Sequence, residues 1–126
     1  MKEVLIKKCS KCGAVIRVLK DCNCSDECGI KCCGEAMQSL EANSSDGAFE
    51  KHIPEYEING NKITVRVNHV MEENHYIEWI SALSDEGESI KYFAPGMEAV
   101  AIFDYYPSMI LYSYCNKHNL WKKNVN

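Results

Sequence analysis

Four histidines and one isolated cysteine are the residues of this chain that could do chemistry together. The histidines are His52, His69, His75 and His118, and Cys115 forms a C-x2-H pair with the last of them. A single histidine is more often a hydrogen-bonded structural residue than a ligand. A set of four, gathered with a thiol in one small domain, indicates a metal site instead. We therefore expect these five side chains to bind one metal ion.

The donor types narrow the choice of metal. Structural zinc prefers four ligands, whereas imidazole together with thiolate suits iron or copper. Five donors leave one octahedral position for a small substrate, and a thiolate pushes electron density onto the metal, as in thiolate-ligated haem. The pattern favours electron transfer to an oxygen species. Lys51, directly before His52, would place a positive charge beside the metal.

A second cluster holds most of the remaining thiols, since seven of the eight cysteines lie between Cys9 and Cys33. The run Cys9-Ser10-Lys11-Cys12-Gly13 is typical of a metal knuckle, in which glycine permits the positive φ of the turn. Cys32-Cys33-Gly34 would supply a second pair, and four thiolates indicate a zinc or iron site. A unit of about 40 residues is close to the lower size limit for unaided folding, so the metal should contribute folding free energy.

Three further cysteines, Cys22, Cys24 and Cys28, lie between the two pairs. On spacing alone, any of them could replace Cys32 or Cys33. The simplest interpretation is that they are spare thiols on a loop. A second metal or a local disulfide is the alternative.

Composition bounds the class of protein. The chain has 126 residues, 46% of them hydrophobic, and a formal net charge of −4. This balance disfavours bulk electrostatic binding to nucleic acid or anionic membrane, because both need a basic face. No run approaches the ~18 apolar residues of a membrane helix, and the N-terminus lacks the apolar core of a secretory signal. We expect a cytoplasmic protein, whose reduced thiols bind metal rather than form disulfides.

Short strands are predicted to position these ligands. Strands at 4–8 and 14–19 flank the first knuckle, and a small polar connector follows at 41–47. An Asn59-Gly60 turn predicts a hairpin, and the later pattern is all-β, which predicts a sandwich whose loops converge at one end. The strands expected there are 55–58, 62–68, 76–83, 89–93, 98–104 and 109–114.

Five motifs carry a resemblance to a known family. They are Cys9-x2-Cys12-Gly13, Cys32-Cys33-Gly34-Glu35-x-Met37, Gly47-Ala48-Phe49-Glu50-Lys51-His52-Ile53-Pro54, His69-x-Met71-Glu72-Glu73-x-His75-x-Ile77-Glu78-Trp79 and Cys115-Asn116-x-His118-x2-Trp121. In this order, and over nearly the whole chain, they resemble the desulfoferrodoxins, the two-iron class of superoxide reductase. Val70, Tyr76 and Asn119 depart from the family pattern and bear on loop shape rather than on ligand identity.

The resemblance implies a mainly β fold with two iron centres. A desulforedoxin-like or rubredoxin-like metal unit at 1–40 and a linker at 41–51 would precede an immunoglobulin-like β-sandwich at 52–126. An Fe(Cys)4 centre would be held by Cys9, Cys12, Cys32 and Cys33. A square-pyramidal Fe(His)4(Cys) centre would have His52, His69, His75 and His118 as equatorial ligands and Cys115 as the axial ligand.

The implied activity is the one-electron reduction of superoxide to hydrogen peroxide, without dioxygen production. Glu50 would occupy the sixth position of the resting ferric iron, and Lys51 would attract the anion and help to protonate the reduced oxygen. A rubredoxin-like carrier would return the electron, and a homodimer is expected. Three lysines could add to a local positive rim or be ordinary solvated residues, namely Lys117, Lys122 and Lys123.

Two other functions compete with this one. The first is a non-catalytic electron-transfer or metal-storage protein whose irons serve only as redox stations, and the second is a protein with two structural zinc sites. Visible colour would separate zinc from iron, because zinc sites are colourless.

Overall fold

The structure is a computed structural model that describes residues 2–22 and 29–125. The chain divides into two compact units, Lys2–Glu41 and Ala42–Asn126. Cys22 is an exposed free thiol, whereas Cys24 and Cys28 lie outside the described residues. The division into a metal domain at 1–40, a linker at 41–51 and a reductase domain at 52–126 stays a prediction.

The first unit consists of short strands around the cysteine pairs. They are β1 (Leu5–Lys8), β2 (Val15–Val18), β3 (Lys31–Cys32), β4 (Glu35–Ala36) and β5 (Gln38–Ser39). One antiparallel sheet has the order β2-β1-β5, and β3 pairs with β4 in a separate hairpin. Cys33 and Gly34 form the two-residue loop of that hairpin and both have positive φ, 53° and 78°. Two central residues with positive φ are the mark of a type I′ turn.

The second unit is a β-sandwich of two antiparallel sheets. Its elements are α1 (Phe49–His52), β6 (Glu55–Asn59), β7 (Lys62–Arg66), β8 (Ile77–Ser84), β9 (Gly87–Tyr92), β10 (Val100–Asp104), β11 (Ile110–Cys115) and β12 (Asn119–Asn124). One sheet has the order β10-β7-β6 and the other β12-β11-β8-β9. The predicted fold class, a small cysteine unit followed by a β-sandwich, is confirmed. No helix in the described part of the chain is long and apolar enough to cross a membrane.

The core of the sandwich follows from alternation along the strands. In β7, Ile63 and Val65 are fully buried while Lys62 and Arg66 are exposed. Because strand side chains point alternately to opposite faces, this period of two gives one face to the core. Inward residues of β8, β10 and β11 complete the cluster. Each large aliphatic side chain buried in this way contributes roughly 1.5–3 kcal/mol.

The short strands β3, β4 and β5 of the first unit were not predicted, and three features of the second unit also differ from the sequence prediction. The β6–β7 hairpin loop is Gly60–Asn61, one residue later than predicted, because Asn59 still pairs with Lys62. Strand β12 was not predicted, since its lysines and asparagines obscure the pattern; pairing with β11 along its whole length stabilises it. The single turn α1 was not predicted either.

Strand pairing brings the ligand-bearing loops to one end of the sandwich. Cys115, at the end of β11, pairs with Ile77 at the start of β8 and with Asn119 at the start of β12. The β8–β11 register shifts between Tyr114 and Cys115, which marks a β-bulge. Bulges re-aim side chains beside functional sites, and this one immediately precedes the thiol.

Candidate metal centres

The second unit brings the five predicted ligands together. One ring nitrogen of each of the four histidines and the sulfur of Cys115 all lie within 4.8 Å of one another. They come from α1, from the β7–β8 connection, from the end of β11 and from the β11–β12 turn. Residues up to 66 positions apart in sequence thus converge on one point.

The four imidazoles form a four-sided cycle. Ring contacts link His52 to His69, His69 to His75, His75 to His118 and His118 back to His52, with centroids 4.6–5.2 Å apart. Along two edges, His52 Nε2 lies 3.1 Å from both His69 Nε2 and His118 Nδ1. Two nitrogens about 2.1 Å from one ion and at right angles would lie about 3.0 Å apart. The edges therefore fit four imidazoles arranged around a single ion.

The thiol of Cys115 lies off the plane of this cycle. Its sulfur is 3.5 Å from His69 Nε2 and 3.7 Å from His118 Nδ1, and these two nitrogens occupy opposite corners. A sulfur in the plane at those distances would overlap one of the remaining corners. The Cys115 sulfur therefore lies on one face of the histidine cycle, where it could bind an ion held by the four rings.

Hydrogen bonds assign the ring tautomers, and the tautomers show that the site fits a cation. His52 Nδ1 lies 2.7 Å from the carbonyl of Ala48, and His69 Nδ1 contacts the carbonyl of Val70. A carbonyl only accepts, so each Nδ1 carries the hydrogen and each Nε2 presents a lone pair. Two lone pairs facing each other at 3.1 Å repel unless a cation lies between them. His75 Nε2 supports the same conclusion, because it is buried and has no hydrogen-bond partner among the described residues.

Burial favours the neutral forms of these side chains, imidazole for the histidines and thiol for Cys115. It lowers the pKa of His52, His69 and His75, and the neighbouring imidazoles add to this effect for all three. Neutral imidazole is the metal-binding form. Burial also raises the pKa of the Cys115 thiol, so metal binding there must release a proton.

Buried neighbours hold His52 in place from two sides. Its ring stacks on Trp121, with centroids 4.6 Å apart and planes 20° from parallel. Its carbonyl accepts a 2.7 Å hydrogen bond from Ser113 Oγ, and both residues are buried. Trp121 Nε1 also donates to the carbonyl of His118 at 3.0 Å. The Trp121 indole therefore contacts both His52 and His118, two predicted ligands that lie 66 residues apart in the sequence.

Gly47 lets the backbone approach two ligands closely. A Cβ placed on it would lie 2.9 Å from His52 Cε1 and 3.2 Å from His118 Cγ. Distances under 3.0 Å are not tolerated between such atoms, so the absence of a side chain here is a steric requirement of the site. Its φ is outside the left-handed region, which leaves contact, not backbone conformation, as the reason for glycine.

Glu50 and Lys51 are exposed on α1, directly before His52. Neither contributes to the group of converging ligand atoms found among residues 2–22 and 29–125. Glu50 lines a surface cavity of about 420 Å³ together with Phe49 and Lys123. The charge of Lys117 adds to the lowering of the His75 pKa, and it partly opposes the burial that raises the pKa of Cys115. Among the lysines of the predicted rim, Lys117 therefore has an electrostatic effect on two of the predicted ligands.

The first unit brings four cysteines together in the same way. One sulfur each from Cys9, Cys12, Cys32 and Cys33 lies within 4.8 Å of the others. The Cys12–Cys32 and Cys32–Cys33 sulfur pairs are 3.6 and 3.9 Å apart. Two thiolates about 2.3 Å from a tetrahedral ion would lie about 3.8 Å apart. A disulfide needs about 2.05 Å, so the spacing fits a metal and not a crosslink.

The knuckle geometry also prepares one thiolate. Backbone N–H groups of Cys12 and Lys11 donate to the Cys9 sulfur and lower its pKa to about 6. Hydrogen bonds with the sulfurs of Cys12, Cys9 and Cys33 raise the pKa of Cys32 to about 12. One sulfur therefore ionises readily, and a bound cation would have to displace the protons that the remaining thiols share.

Comparison with known proteins agrees with this geometry. A family model described as Desulfoferrodoxin matches residues 44–124. The chain belongs to the desulfoferrodoxin family. It is 40% identical to the desulfoferrodoxin of Nitratidesulfovibrio vulgaris, covering 93% of each chain. It is 37% identical to the desulfoferrodoxin homolog of Archaeoglobus fulgidus, covering 97% of this chain and 98% of that protein.

Several solved structures that resemble this chain are superoxide reductases. That of Treponema pallidum covers 97% of this chain and 99% of its own, with a TM-score of 0.71 and 22% identity, and it supports the fold. The superoxide reductase of Giardia intestinalis is 30% identical and has a TM-score of 0.55. That match covers 60% of this chain and 97% of the Giardia protein.

Sequence reasoning did not assign roles to Gly47, Ser113 or Trp121. Their contacts with the ligands are made across the fold, and spacing along the chain does not reveal them. A glycine five residues before a predicted ligand is a signal of close backbone approach. That signal alone could have identified Gly47.

Proposed function

We propose that this protein is a superoxide reductase with a single catalytic iron held by four imidazoles and one thiolate. The observation that carries the proposal is the four-sided cycle of histidine nitrogens with the Cys115 sulfur on one face. This donor set suits iron better than a four-coordinate structural zinc. The face opposite the sulfur would receive the substrate.

The reaction balances with one electron and two protons. Iron, when bound, supplies the electron that superoxide accepts, and the product is hydrogen peroxide. No second superoxide is oxidised, so no dioxygen forms. His52 and Cys115 are buried and the other three imidazoles are half-buried, so the site is close enough to the surface for a small anion to reach it.

Lys51 would attract superoxide and help to deliver a proton. The chain carries a formal net charge of −4, so a local cation matters for the encounter with an anion. Lys51 is exposed next to the buried ligand His52, and Lys117 lies between two ligands in sequence. Glu50, on the same turn, is proposed as the sixth ligand of the resting ferric iron, because an anionic oxygen suits that hard ion.

The four-cysteine site is proposed as a second iron centre. Its sulfur spacing supports a tetrahedral metal, and family membership favours iron over zinc. A rubredoxin-like carrier would return the electron, the protein would work in the cytoplasm, and it would form a homodimer. The carrier and the homodimer rest on resemblance to the family, and the cytoplasmic location rests on the expectation drawn from the sequence.

Superoxide stoichiometry tests the proposal. Fully reduced, iron-loaded protein receives a limiting pulse of superoxide, and peroxide and dioxygen are both measured. We expect one hydrogen peroxide per superoxide consumed and no dioxygen. Dioxygen with half as much peroxide would mean dismutation, and no peroxide would favour a non-catalytic electron-transfer protein. A colourless preparation containing only zinc would contradict both iron proposals.

A further inference from the structure

Asn116 makes three hydrogen bonds that tie together two ligand-bearing segments. Its Oδ1 accepts from the backbone N–H of Tyr76 at 3.0 Å, and its Nδ2 donates to the carbonyl of Asn74 at 2.9 Å. Its own N–H donates to the carbonyl of Tyr76 at 3.3 Å. The side chain therefore holds the peptide groups on both sides of His75. It lies directly after Cys115 and two residues before His118.

His75 depends on such a clamp more than His52 and His69 do. Those two rings are oriented by Nδ1 hydrogen bonds to the carbonyls of Ala48 and Val70. Within the described residues, the His75 ring has ring contacts but no hydrogen bond to a carbonyl. Metal-binding histidines are usually oriented by a hydrogen bond at the second nitrogen. For His75, orientation has to come from its backbone.

Two sets of hydrogen bonds restrain the backbone around His75. On one side, an isolated β-bridge joins it to Glu72 through hydrogen bonds of 3.0 and 3.1 Å. On the other, the Asn116 amide holds Asn74 and Tyr76. The bridge joins two residues of the same loop, whereas the Asn116 hydrogen bonds connect that loop to the turn carrying Cys115 and His118.

We propose that Asn116 is a positioning residue that holds His75 in register with Cys115 and His118. This inference rests on the proposed metal centre and adds the element that fixes one corner of the histidine cycle. Loss of the amide frees the corner opposite His52, and the site keeps three imidazoles and the thiol. Removing partners of this kind typically lowers metal affinity about 10–100-fold.

Two isosteric substitutions, one at Asn116 and one at a control position, test whether Asn116 positions His75. Asn116→Asp keeps the acceptor for Tyr76 N–H and replaces the donor facing the Asn74 carbonyl with an oxygen. Asn43→Asp is the matched control: Asn43 Oδ1 accepts from Lys122 N–H at 2.9 Å and its Nδ2 faces the Lys122 carbonyl. Both variants add one negative charge. A negative charge near the site would strengthen cation binding, so a loss in Asn116→Asp must come from geometry.

Three readouts are compared in full-length wild type and both variants. They are the affinity of the five-ligand site for ferrous iron and for zinc by chelator competition, the ferric visible band, and hydrogen exchange at the Tyr76 amide. We expect Asn116→Asp to lose about 10–100-fold in affinity, to shift the band and to speed exchange at Tyr76. Asn43→Asp should match wild type within about threefold, and Asn116→Ala should exceed the loss of Asn116→Asp.

Unchanged affinity, band and Tyr76 exchange in Asn116→Asp would overturn the inference, as would an equal loss in Asn43→Asp. Zinc uses the same ligands, so the clamp is tested even if wild-type protein shows no superoxide reduction. A wild type that binds zinc but not iron would remove the proposed function, while an Asn116-specific loss of zinc affinity would still uphold the clamp.

Discussion

Substituting Gly47 with alanine adds one methyl group where the backbone packs against two rings of the histidine cycle. The new Cβ would lie 2.9 and 3.1 Å from Cε1 and Nδ1 of His52, and 3.2 Å from Cγ of His118. Ordinary contacts begin near 3.4 Å, so the rings or the backbone must move by several tenths of an ångström. The His52 ring cannot move away without losing existing contacts. His52 is stacked on Trp121 and bonded to Ala48.

The expected magnitude follows from two opposing effects. Overpacking of this kind costs about 1–3 kcal/mol, whereas replacing glycine at an allowed φ restrains the unfolded chain and returns about 0.4–1 kcal/mol. From the middle of each range, the net loss in the free energy of unfolding should be about 1.3 kcal/mol. Catalytic constellations tolerate errors of only about 0.5 Å, so metal affinity should fall as well.

Denaturant unfolding and chelator competition measure the two effects. Gly29→Ala is the control, because a Cβ there meets nothing within 4 Å and φ is not left-handed. The control should be neutral or slightly stabilising. A Gly47→Ala protein as stable as wild type, with unchanged metal affinity, would refute the claim that the glycine is required by contact with the rings.

Three further predictions concern charge, packing and pH. Lys51→Ala should slow the bimolecular reaction with superoxide and weaken its salt dependence; stopped-flow rates at several ionic strengths would reveal either effect, and unchanged values would remove the steering role. Trp121→Phe should keep an aromatic ring near His52 but leave the His118 carbonyl without its donor, at a cost of about 1–3 kcal/mol in denaturant unfolding; an unchanged midpoint would count against it. Metal-free protein should lose stability as pH falls through about 6.5, because burial lowers the pKa of His52, His69 and His75 and the unfolded chain then binds more protons. Stability that stays level or rises on acidification from about pH 7.5 to 5.5 would contradict this sign.

The sequence predicted the sandwich because β-strand signals are local. Alternation at Ile63 and Val65 and the turn near Gly60 need no knowledge of the rest of the fold. Strand β12 escaped prediction because its lysines and asparagines hide a strand that pairing with β11 stabilises. Trp121 of this strand belongs to a matching motif, but its contact with His52 is visible only in the structure.

The ligands were predicted from their types, and their equatorial and axial places from a resemblance, whereas the order of the four rings around the site needed the structure. Nothing in the spacing of the histidines says which two are neighbours. The cyclic order and the place of the Cys115 sulfur on one face of the cycle come from strand pairing at one end of the sandwich. Asn116 is equally hidden, because its partners lie about 40 residues earlier in the chain.

An anomalous difference map across the iron absorption edge tests the central claim most directly. Crystals of protein purified without added metal would be measured above and below the edge. A peak should appear within bonding distance of all four histidine nitrogens and the Cys115 sulfur. Signal at the zinc edge alone, or iron confined to the four-cysteine site, would contradict the account.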